Sequence, residues 1–224
     1  MQKNKLNNKK VINSAIAENV YSRKIKAKKS LGQNFLKSTL ILNKIIEAGE
    51  ITKEDIVLEI GPGKGSLTKK ILATGCGVIA IEKDNTLFLF LKEKFAEEIK
   101  TGKLILKNED ILNFDTSMSN MSKAAFDTKN YKIIANIPYN ITGAILKKFL
   151  TTENQPELMV LMVQREVAKR IMGNKTDISH GVNMQKRKNG KESILSISVK
   201  AYGEPKIIMK VPARYFSPAP KVDS

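Results

Sequence analysis

The chain has 224 residues, of which 42% are hydrophobic and 27% charged, and its formal net charge is +17. This length suits one α/β domain, and the composition is that of a globular protein, which excludes disorder of the whole chain. Its longest apolar run covers residues 158–163, whereas a membrane span needs about 20 residues. A single cysteine, Cys76, and a single histidine, His180, exclude a disulfide-stapled domain and a cysteine- or histidine-rich metal site, so no metal is expected.

The positive charge is concentrated near the N-terminus. Residues 1–30 hold nine basic side chains and one acid, and a second basic run is Lys186-Arg187-Lys188. An excess of this size favours a polyanionic partner, nucleic acid, with solubility or a lysine-rich genome bias as the alternative. We expect residues 1–28 to form a flexible basic arm, with an organelle transit peptide as the second reading. The arm lacks the apolar core of a secretory signal, so a cytoplasmic protein is expected.

Strand and helix signals alternate along the chain, which predicts an α/β fold with a mostly parallel sheet and helices on both faces. The predicted strands are short apolar runs at residues 56–60, 77–81, 104–106, 131–135, 158–163 and 205–211. The predicted helices cover residues 40–46, 66–74, 85–100, 142–150 and 166–172. Residues 193–199 fit either a strand or a helix, and residues 115–130 and 173–192 are predicted loops.

The first predicted strand runs into the turn Gly61-Pro62-Gly63-Lys64-Gly65, which opens the next helix. Glycines permit a sharp turn and the close approach of a ligand, as in dinucleotide-binding sheets. The third glycine departs by one residue from the G-x-G-x-x-G spacing, and Glu59 precedes the turn. The acidic side chain of Glu59 fits a cationic ligand better than a pyrophosphate.

Acidic residues follow the next two predicted strands. Glu82 ends the second strand, where a carboxylate can accept hydrogen bonds from both ribose hydroxyls of an adenosine. Asp110 follows the third strand, where it can accept a hydrogen bond from an adenine amino group. Each acid can also be an ordinary strand-end residue, with Lys83 as a partner for Glu82. The glycine turn, Glu82 and Asp110 lie at three consecutive strand ends. Together they favour a cofactor that contains adenosine more strongly than any one of them does alone.

The fourth predicted strand ends in Asn136-Ile137-Pro138-Tyr139, the most specific signal in the chain. An amide oxygen and a nearby backbone carbonyl can accept both hydrogens of an amino group on an aromatic ring. This pulls the nitrogen toward tetrahedral geometry and directs its lone pair at an incoming methyl group. Tyr139 offers a flat face for a base. The alternative is a structural turn with an asparagine cap.

Four motifs in this order resemble the ribosomal RNA adenine N6-dimethyltransferase family, and the resemblance covers about residues 28–224. The motifs are Gly32-Gln33-Asn34-Phe35-Leu36, Glu59-Ile60-Gly61-Pro62-Gly63, Asn136-Ile137-Pro138-Tyr139 and Phe216-x-Pro218-x-Pro220-Lys221-Val222-Asp223-Ser224. The last motif, together with Gln164-x-Glu166-Val167-Ala168-x-Arg170, is closer to the small-subunit housekeeping type than to the macrolide-resistance type.

The resemblance implies a Rossmann-like methyltransferase that uses S-adenosylmethionine and methylates two adjacent adenines in a hairpin loop near the 3′ end of small-subunit rRNA. Such a protein has a role in small-subunit maturation, with pre-ribosomal particles as its partner, and is expected to be a monomer without a metal. The implied cofactor contacts are, by motif match, Gln33, Asn34, Leu36, Gly61, Gly63, Glu82, Asp110 and Asn136. Asn136 would lie between the cofactor and the target base, and Tyr139 and Phe216 would sandwich a flipped adenine.

Two departures from the family pattern stand out. The loop at residues 173–192 is longer than usual and contains the second basic run. Family members continue past Asp223-Ser224 with an antiparallel strand and a small helical domain, so we expect the catalytic domain, residues 29–224, to lack both. The resemblance also makes the ambiguous residues 193–199 helical.

Two other functions compete with rRNA methylation. One is an RNA-binding assembly or transcription factor that has kept the fold. The other is a small-molecule methyltransferase. The presence of Asn136, Tyr139 and Phe216 argues against a pure binder, which needs no amine geometry, and the charge of +17 argues against a small-molecule substrate.

Overall fold

The computed structural model of the protein describes residues 25–117, 131–173 and 192–224. Most of the predicted basic arm lies outside these ranges, as do most of the two predicted loops, the Lys186–Lys188 run and His180. Among the residues described, no helix has the length and apolar character needed to cross a membrane.

Strands and helices alternate as the sequence predicts. The strands are β1 (Phe35–Leu36), β2 (Ile56–Ile60), β3 (Gly77–Glu82), β4 (Leu104–Asn108), β5 (Lys132–Asn136), β6 (Leu158–Met162) and β7 (Phe216–Ser217). The α-helices are α1 (Thr39–Ala48), α2 (Ser66–Leu72), α3 (Asn85–Lys94), α4 (Ala96–Lys100), α5 (Thr142–Leu150), α6 (Arg165–Met172) and α7 (Ile194–Lys200). Short 3-10 turns cover residues 29–31, 139–141 and 213–215.

Five strands form a parallel sheet in the order β4-β3-β2-β5-β6. The chain builds outward from β2 to β4, then crosses to the other side of β2 with β5 and β6. The topological switch point therefore lies between β2 and β5, where ligands bind at the carboxyl ends of the strands in open α/β sheets. A separate antiparallel pair, β1 with β7, has Leu36 opposite Phe216.

The central strands are buried on both faces, because successive side chains point to opposite sides of the sheet. On β2, Val57 packs with helices α1, α2 and α3 on one face, while Leu58 packs with α5 on the other. Apolar side chains on both faces explain why these strands are continuous apolar runs in the sequence. The two cores hold the strand ends rigidly around the switch point.

Two predicted elements differ in the structure, and one ambiguous segment is resolved as the resemblance implies. Residues 205–211, all of them described, form no strand. Among these seven residues only Val211 exchanges backbone hydrogen bonds with another segment, and its partner is Ser224. The predicted strand there is wrong because a strand needs a neighbour over several residues. The helix predicted over 85–100 is interrupted at Phe95, whose backbone leaves helical geometry. The ambiguous segment forms helix α7, which begins after the Ser193 cap.

Candidate active site

One cavity opens at the switch point, at the carboxyl ends of β2, β3, β4 and β5. The remaining wall includes residues 30–36, which belong to the segment of residues 28–36 that we call the N-terminal strap. The predicted site residues that line this cavity are Gln33, Asn34, Leu36, Gly61, Gly63, Glu82, Asp110, Asn136 and Tyr139. The fold thus brings together residues that are separated by up to about a hundred positions in sequence.

The glycine turn is folded so that its amide groups are already bonded. The Gly61 N–H donates to the Ile81 carbonyl at 2.9 Å, and the Gly63 N–H donates to the Glu82 carboxylate at 3.0 Å. Gly63 has φ +60°, and a Cβ there would lie 3.0 Å from the Phe35 ring. The turn therefore requires glycine, but neither amide is free to cradle a phosphate.

Two buried carboxylates face the same cavity. Glu82 accepts hydrogen bonds from the Gly63 and Asp84 N–H groups, yet burial still raises its pKa. Burial raises the pKa of Glu59 to about 8, an effect that the neighbouring Thr68 only partly opposes. Oε2 of Glu59 is buried and has no hydrogen-bond partner among the residues described. A buried carboxylate oxygen without a partner suits a cationic ligand.

Asp110 lies at the rim of the cavity. Its Oδ2 accepts a hydrogen bond from the Lys83 ammonium at 2.7 Å, and its Oδ1 accepts one from the Leu112 N–H at 3.0 Å. The Lys83 hydrogen bond is the main cause that lowers the pKa of Asp110, so this carboxylate is ionised at neutral pH. Contact of Asp110 with an adenine amino group stays a prediction, and Lys83 would compete for it.

Asn136 lies at the end of β5 with its side chain held by the strap. Its Nδ2 donates to the Asn34 carbonyl at 2.9 Å. This bond orients the amide and leaves Oδ1 as the acceptor, with no donor to Oδ1 in the described part of the chain. The sequence motif alone does not predict this partner, because the two residues lie 102 positions apart.

The two predicted aromatic residues occupy different environments. Tyr139 is half-buried and lines the cavity, in the 3-10 turn after Pro138. Phe216 is 3% exposed, packs in the core with Leu36 and does not line the cavity. Stacking of Phe216 on a base stays a prediction, and it requires the β1–β7 pair to shift and expose the ring.

Asp84 holds the N-terminal strap in place, a role that the motif search missed. Lys28 Nζ contacts its carboxylate at 2.7 Å, and Gln33 Nε2 donates to it at 2.9 Å. The same carboxylate caps α3 by accepting the Thr86 N–H. Burial opposes ionisation, but these hydrogen bonds outweigh it and lower the pKa of Asp84. The available sequence signal is an aspartate directly before a predicted helix start at Asn85.

Comparison with known proteins decides the family. The model of the family described as "Ribosomal RNA adenine dimethylase" matches residues 24–224. The chain belongs to the ribosomal RNA adenine dimethylase family. "Ribosomal RNA small subunit methyltransferase A" of Dehalococcoides mccartyi is 38% identical over 89% of this chain and 61% of that protein. The protein of the same name from Latilactobacillus sakei is 41% identical over 89% and 62% of the two chains. The chain thus spans about three fifths of the length of these curated relatives.

Solved structures agree with the adenine dimethylase assignment. A dimethyladenosine transferase from Plasmodium falciparum has a TM-score of 0.64 and 31% identity, covering 84% of this chain and 60% of that one. The 23S rRNA methyltransferase ErmE has a TM-score of 0.67 and 26% identity, covering 85% and 66%. The predicted fold class, a Rossmann-like α/β fold with a mostly parallel sheet and helices on both faces, is confirmed.

We expect the N-terminal strap to loosen when Asp84 is changed to Asn. Asparagine caps a helix about as well as aspartate. Asp84→Asn should therefore change stability by less than about 1 kcal/mol while it removes the ion pair with Lys28. The expected result is faster cleavage of residues 25–36 in limited proteolysis, with a nearly unchanged melting temperature.

Lys28→Met is the complementary variant, because it removes the same ion pair from the other side and leaves the helix cap intact. It should speed cleavage of the strap as Asp84→Asn does. Asp84→Ala removes the cap as well and should cost about a further 1 kcal/mol. Wild-type cleavage rates in both single variants would show that the ion pair does not hold the strap.

Proposed function

We propose that this protein transfers methyl groups from S-adenosylmethionine to N6 of two adjacent adenines in the 3′-terminal hairpin loop of small-subunit rRNA, twice each, during maturation of the subunit. The observation that carries this proposal is the arrangement of Asn136 and Tyr139 in the cavity that also holds Glu59, Glu82 and the glycine turn. Family membership and the names of the relatives support the same reaction.

The residues of the cavity fit S-adenosylmethionine, which supplies a methyl group on a positively charged sulfur and also carries an ammonium group. Glu59 offers a buried, unpartnered carboxylate oxygen for positive charge. Glu82 has both oxygens fixed by backbone N–H groups and keeps spare lone pairs for ribose hydroxyls. The bonded amides at Gly61 and Gly63 leave no cradle for a phosphate, so a nucleotide diphosphate fits less well.

Asn136 prepares the target amine. Because Asn34 holds its Nδ2, its Oδ1 is fixed as an acceptor for one hydrogen of the adenine amino group. A backbone carbonyl of the following turn can accept the other hydrogen. With both hydrogens held, the nitrogen lone pair points at the methyl carbon. When bound, S-adenosylmethionine would supply the methyl group, its S–C bond breaking as the N–C bond forms, and the adenine nitrogen would then lose a proton to solvent. We assign no general base, so positioning and electrostatics carry the rate.

Tyr139 provides a stacking face for the everted adenine. Removing a base from its stack costs a few kcal/mol, and stacking on one aromatic ring returns about 1–3 kcal/mol. Phe216 would supply a second face once exposed. An enzyme that acts on single-stranded or flipped bases gains from such a ring near its cofactor.

The rRNA is proposed to be presented within a pre-ribosomal particle, in the cytoplasm, to a monomer that needs no metal. The charge of +17 supports contact with RNA phosphates. We also propose that the basic arm contributes to this contact. Lys28, the last residue of the proposed arm, is bonded to Asp84, and Ile25 packs against the core.

The test is methyl transfer from labelled S-adenosylmethionine to small-subunit particles that lack the two dimethyladenines. We expect labelled N6,N6-dimethyladenine in the digested rRNA. Particles that already carry the modification serve as the control and should take up no label. Binding to particles without labelled product would favour the RNA-binding factor, and label confined to small molecules would favour a small-molecule methyltransferase.

A further inference from the structure

The hydroxyl of Tyr139 is tied to a residue outside the cavity. Its oxygen lies 2.6 Å from Oγ of Ser224, and the two groups share one hydrogen bond. Tyr139 lines the cavity, whereas Ser224 is buried behind it and does not. Burial raises the pKa of Tyr139, so its hydroxyl keeps its proton at neutral pH and can donate.

Ser224 is itself held firmly from both sides. Its N–H donates to the Val211 carbonyl at 2.9 Å, and its carbonyl accepts the Val211 N–H at 2.7 Å. The preceding residue, Asp223, accepts the Ala213 N–H through its side chain and the Arg165 N–H, at the start of α6, through its carbonyl. The hydroxyl of Ser224 is therefore a fixed point built from three separate chain segments.

Tyr139 needs such a fixed point because its own backbone does not restrain it. It follows Pro138 in a 3-10 turn of three residues and lies outside the sheet and the α-helices. The phenolic oxygen of a tyrosine lies on the axis of the second side-chain torsion, so a hydrogen bond at the tip restrains the first torsion. The bond thus fixes the direction of the side chain and the place of the ring in the cavity wall.

We propose that Ser224 is a positioning residue, which holds the Tyr139 ring at the place in the cavity wall where it stacks on the target adenine. The inference rests on the proposed function and adds a residue that touches neither substrate nor cofactor. The inference also assigns a structural role to Asp223 and Ser224 at the end of the last motif. These two residues connect α6 and residues 211–213 with the wall of the cavity.

The test compares Ser224→Ala, Tyr139→Phe and the double variant in single-turnover methyl transfer to unmethylated particles by the full chain. Loss of one hydrogen bond should raise the KM for the particles about tenfold. At particle concentrations below saturation, the same loss lowers the single-turnover rate about tenfold. Because each single change breaks the same bond, the double variant should be no worse than either one. The dissociation constant for S-adenosylmethionine should stay at the wild-type value in all three.

Ser224→Thr keeps the hydroxyl and should restore at least half of the wild-type rate. Ser198→Ala, on the exposed face of α7, is the matched control and should behave as wild type. If Ser224→Ala fails to fold, the other two variants still test the role of the hydrogen bond. The methyl-transfer rate of Tyr139→Phe should fall about tenfold, and that of Ser224→Thr should not.

Two results would overturn the inference: wild-type KM and rate in Ser224→Ala, or losses that multiply in the double variant. Multiplied losses would show that Ser224 acts on general stability and not through Tyr139. The unmodified chain is assayed beside the variants. If it transfers no methyl to the particles, the proposed function fails; if it does and Ser224→Ala is unchanged, only the role of Ser224 fails.

Discussion

Replacement of Asn136 by Ala should lower the rate of methyl transfer by about 10²–10³-fold, the effect of removing one preorganised polar group from a reacting centre. The change removes the Oδ1 acceptor that would hold the adenine amine. It also breaks the bond from Nδ2 to the Asn34 carbonyl, so the strap loses one of its contacts. Single-turnover assays on unmethylated particles measure the rate, and calorimetry measures the cofactor affinity.

The two roles of Asn136 can be separated. Asn136→Asp keeps an acceptor but cannot donate to Asn34, so it should also lose activity, because the two oxygens then face each other. Asn43→Ala, on the exposed face of α1, is the matched control and should keep full activity. Product formation at the wild-type rate by Asn136→Ala, with cofactor binding retained, would contradict the mechanism.

The protein without cofactor should become less stable as the pH rises from 5.5 to 7.5, because of Glu59. Its pKa is raised to about 8 in the folded protein, against 4.5 as the ordinary value. The folded state therefore binds the proton more tightly than the unfolded state, so the stabilisation is complete below pH 4.5 and is lost as the pH approaches 8. The expected loss across this window is about 2 kcal/mol.

Glu59→Gln isolates the contribution of this one group. Between pH 5.5 and 7.5 the unfolding free energy should fall by about 2 kcal/mol less in the variant than in the wild type. The measurement is the difference between the two unfolding free energies at each pH. Glu82 also has a raised pKa and contributes in the same direction in both proteins, so it cancels in the difference. The exposed Glu47→Gln is the control and should follow the wild-type curve. Parallel curves for wild type and Glu59→Gln would show that Glu59 is ionised in the folded protein.

The same carboxyl group links cofactor binding to pH. A cation placed beside Glu59 favours the ionised form, so binding of S-adenosylmethionine should release a proton near pH 7. Calorimetry in buffers of different ionisation enthalpy measures this release, which should be absent in Glu59→Gln. The readout does not depend on methyl transfer, and so it tests the charge of the cavity separately from the reaction.

The elements that the sequence predicted well are those whose signal is local. Strands β2 and β3 are buried on both faces and appear as apolar runs, and the glycine turn between β2 and α2 is visible as three glycines in five residues. Residues 205–211 were predicted wrongly because β-branched content does not show whether a neighbouring strand is present. The break at Phe95 was missed for a similar reason, since it depends on packing of that ring near Gly65.

Within the site, the sequence identified residues but not their partners. Glu82, Asn136 and Tyr139 follow predicted strands and line the cavity as expected. The bonds from Asn136 to Asn34 and from Tyr139 to Ser224 join residues 102 and 85 positions apart. Phe216 is the clearest example of what the sequence does not predict. A motif identifies this residue, but its burial depends on tertiary packing.

By itself, the order of apolar runs, glycines and strand-end acids determined a parallel sheet with a cofactor site at one edge, because each of these signals is local and has a fixed spacing. Only the tertiary structure decided which groups in that site are free to act. It leaves Oε2 of Glu59 without a partner in the described residues, fixes Oδ1 of Asn136 as an acceptor and fastens the ring of Tyr139. Burial and hydrogen bonds between distant segments set these properties, and they exist only once the chain has folded.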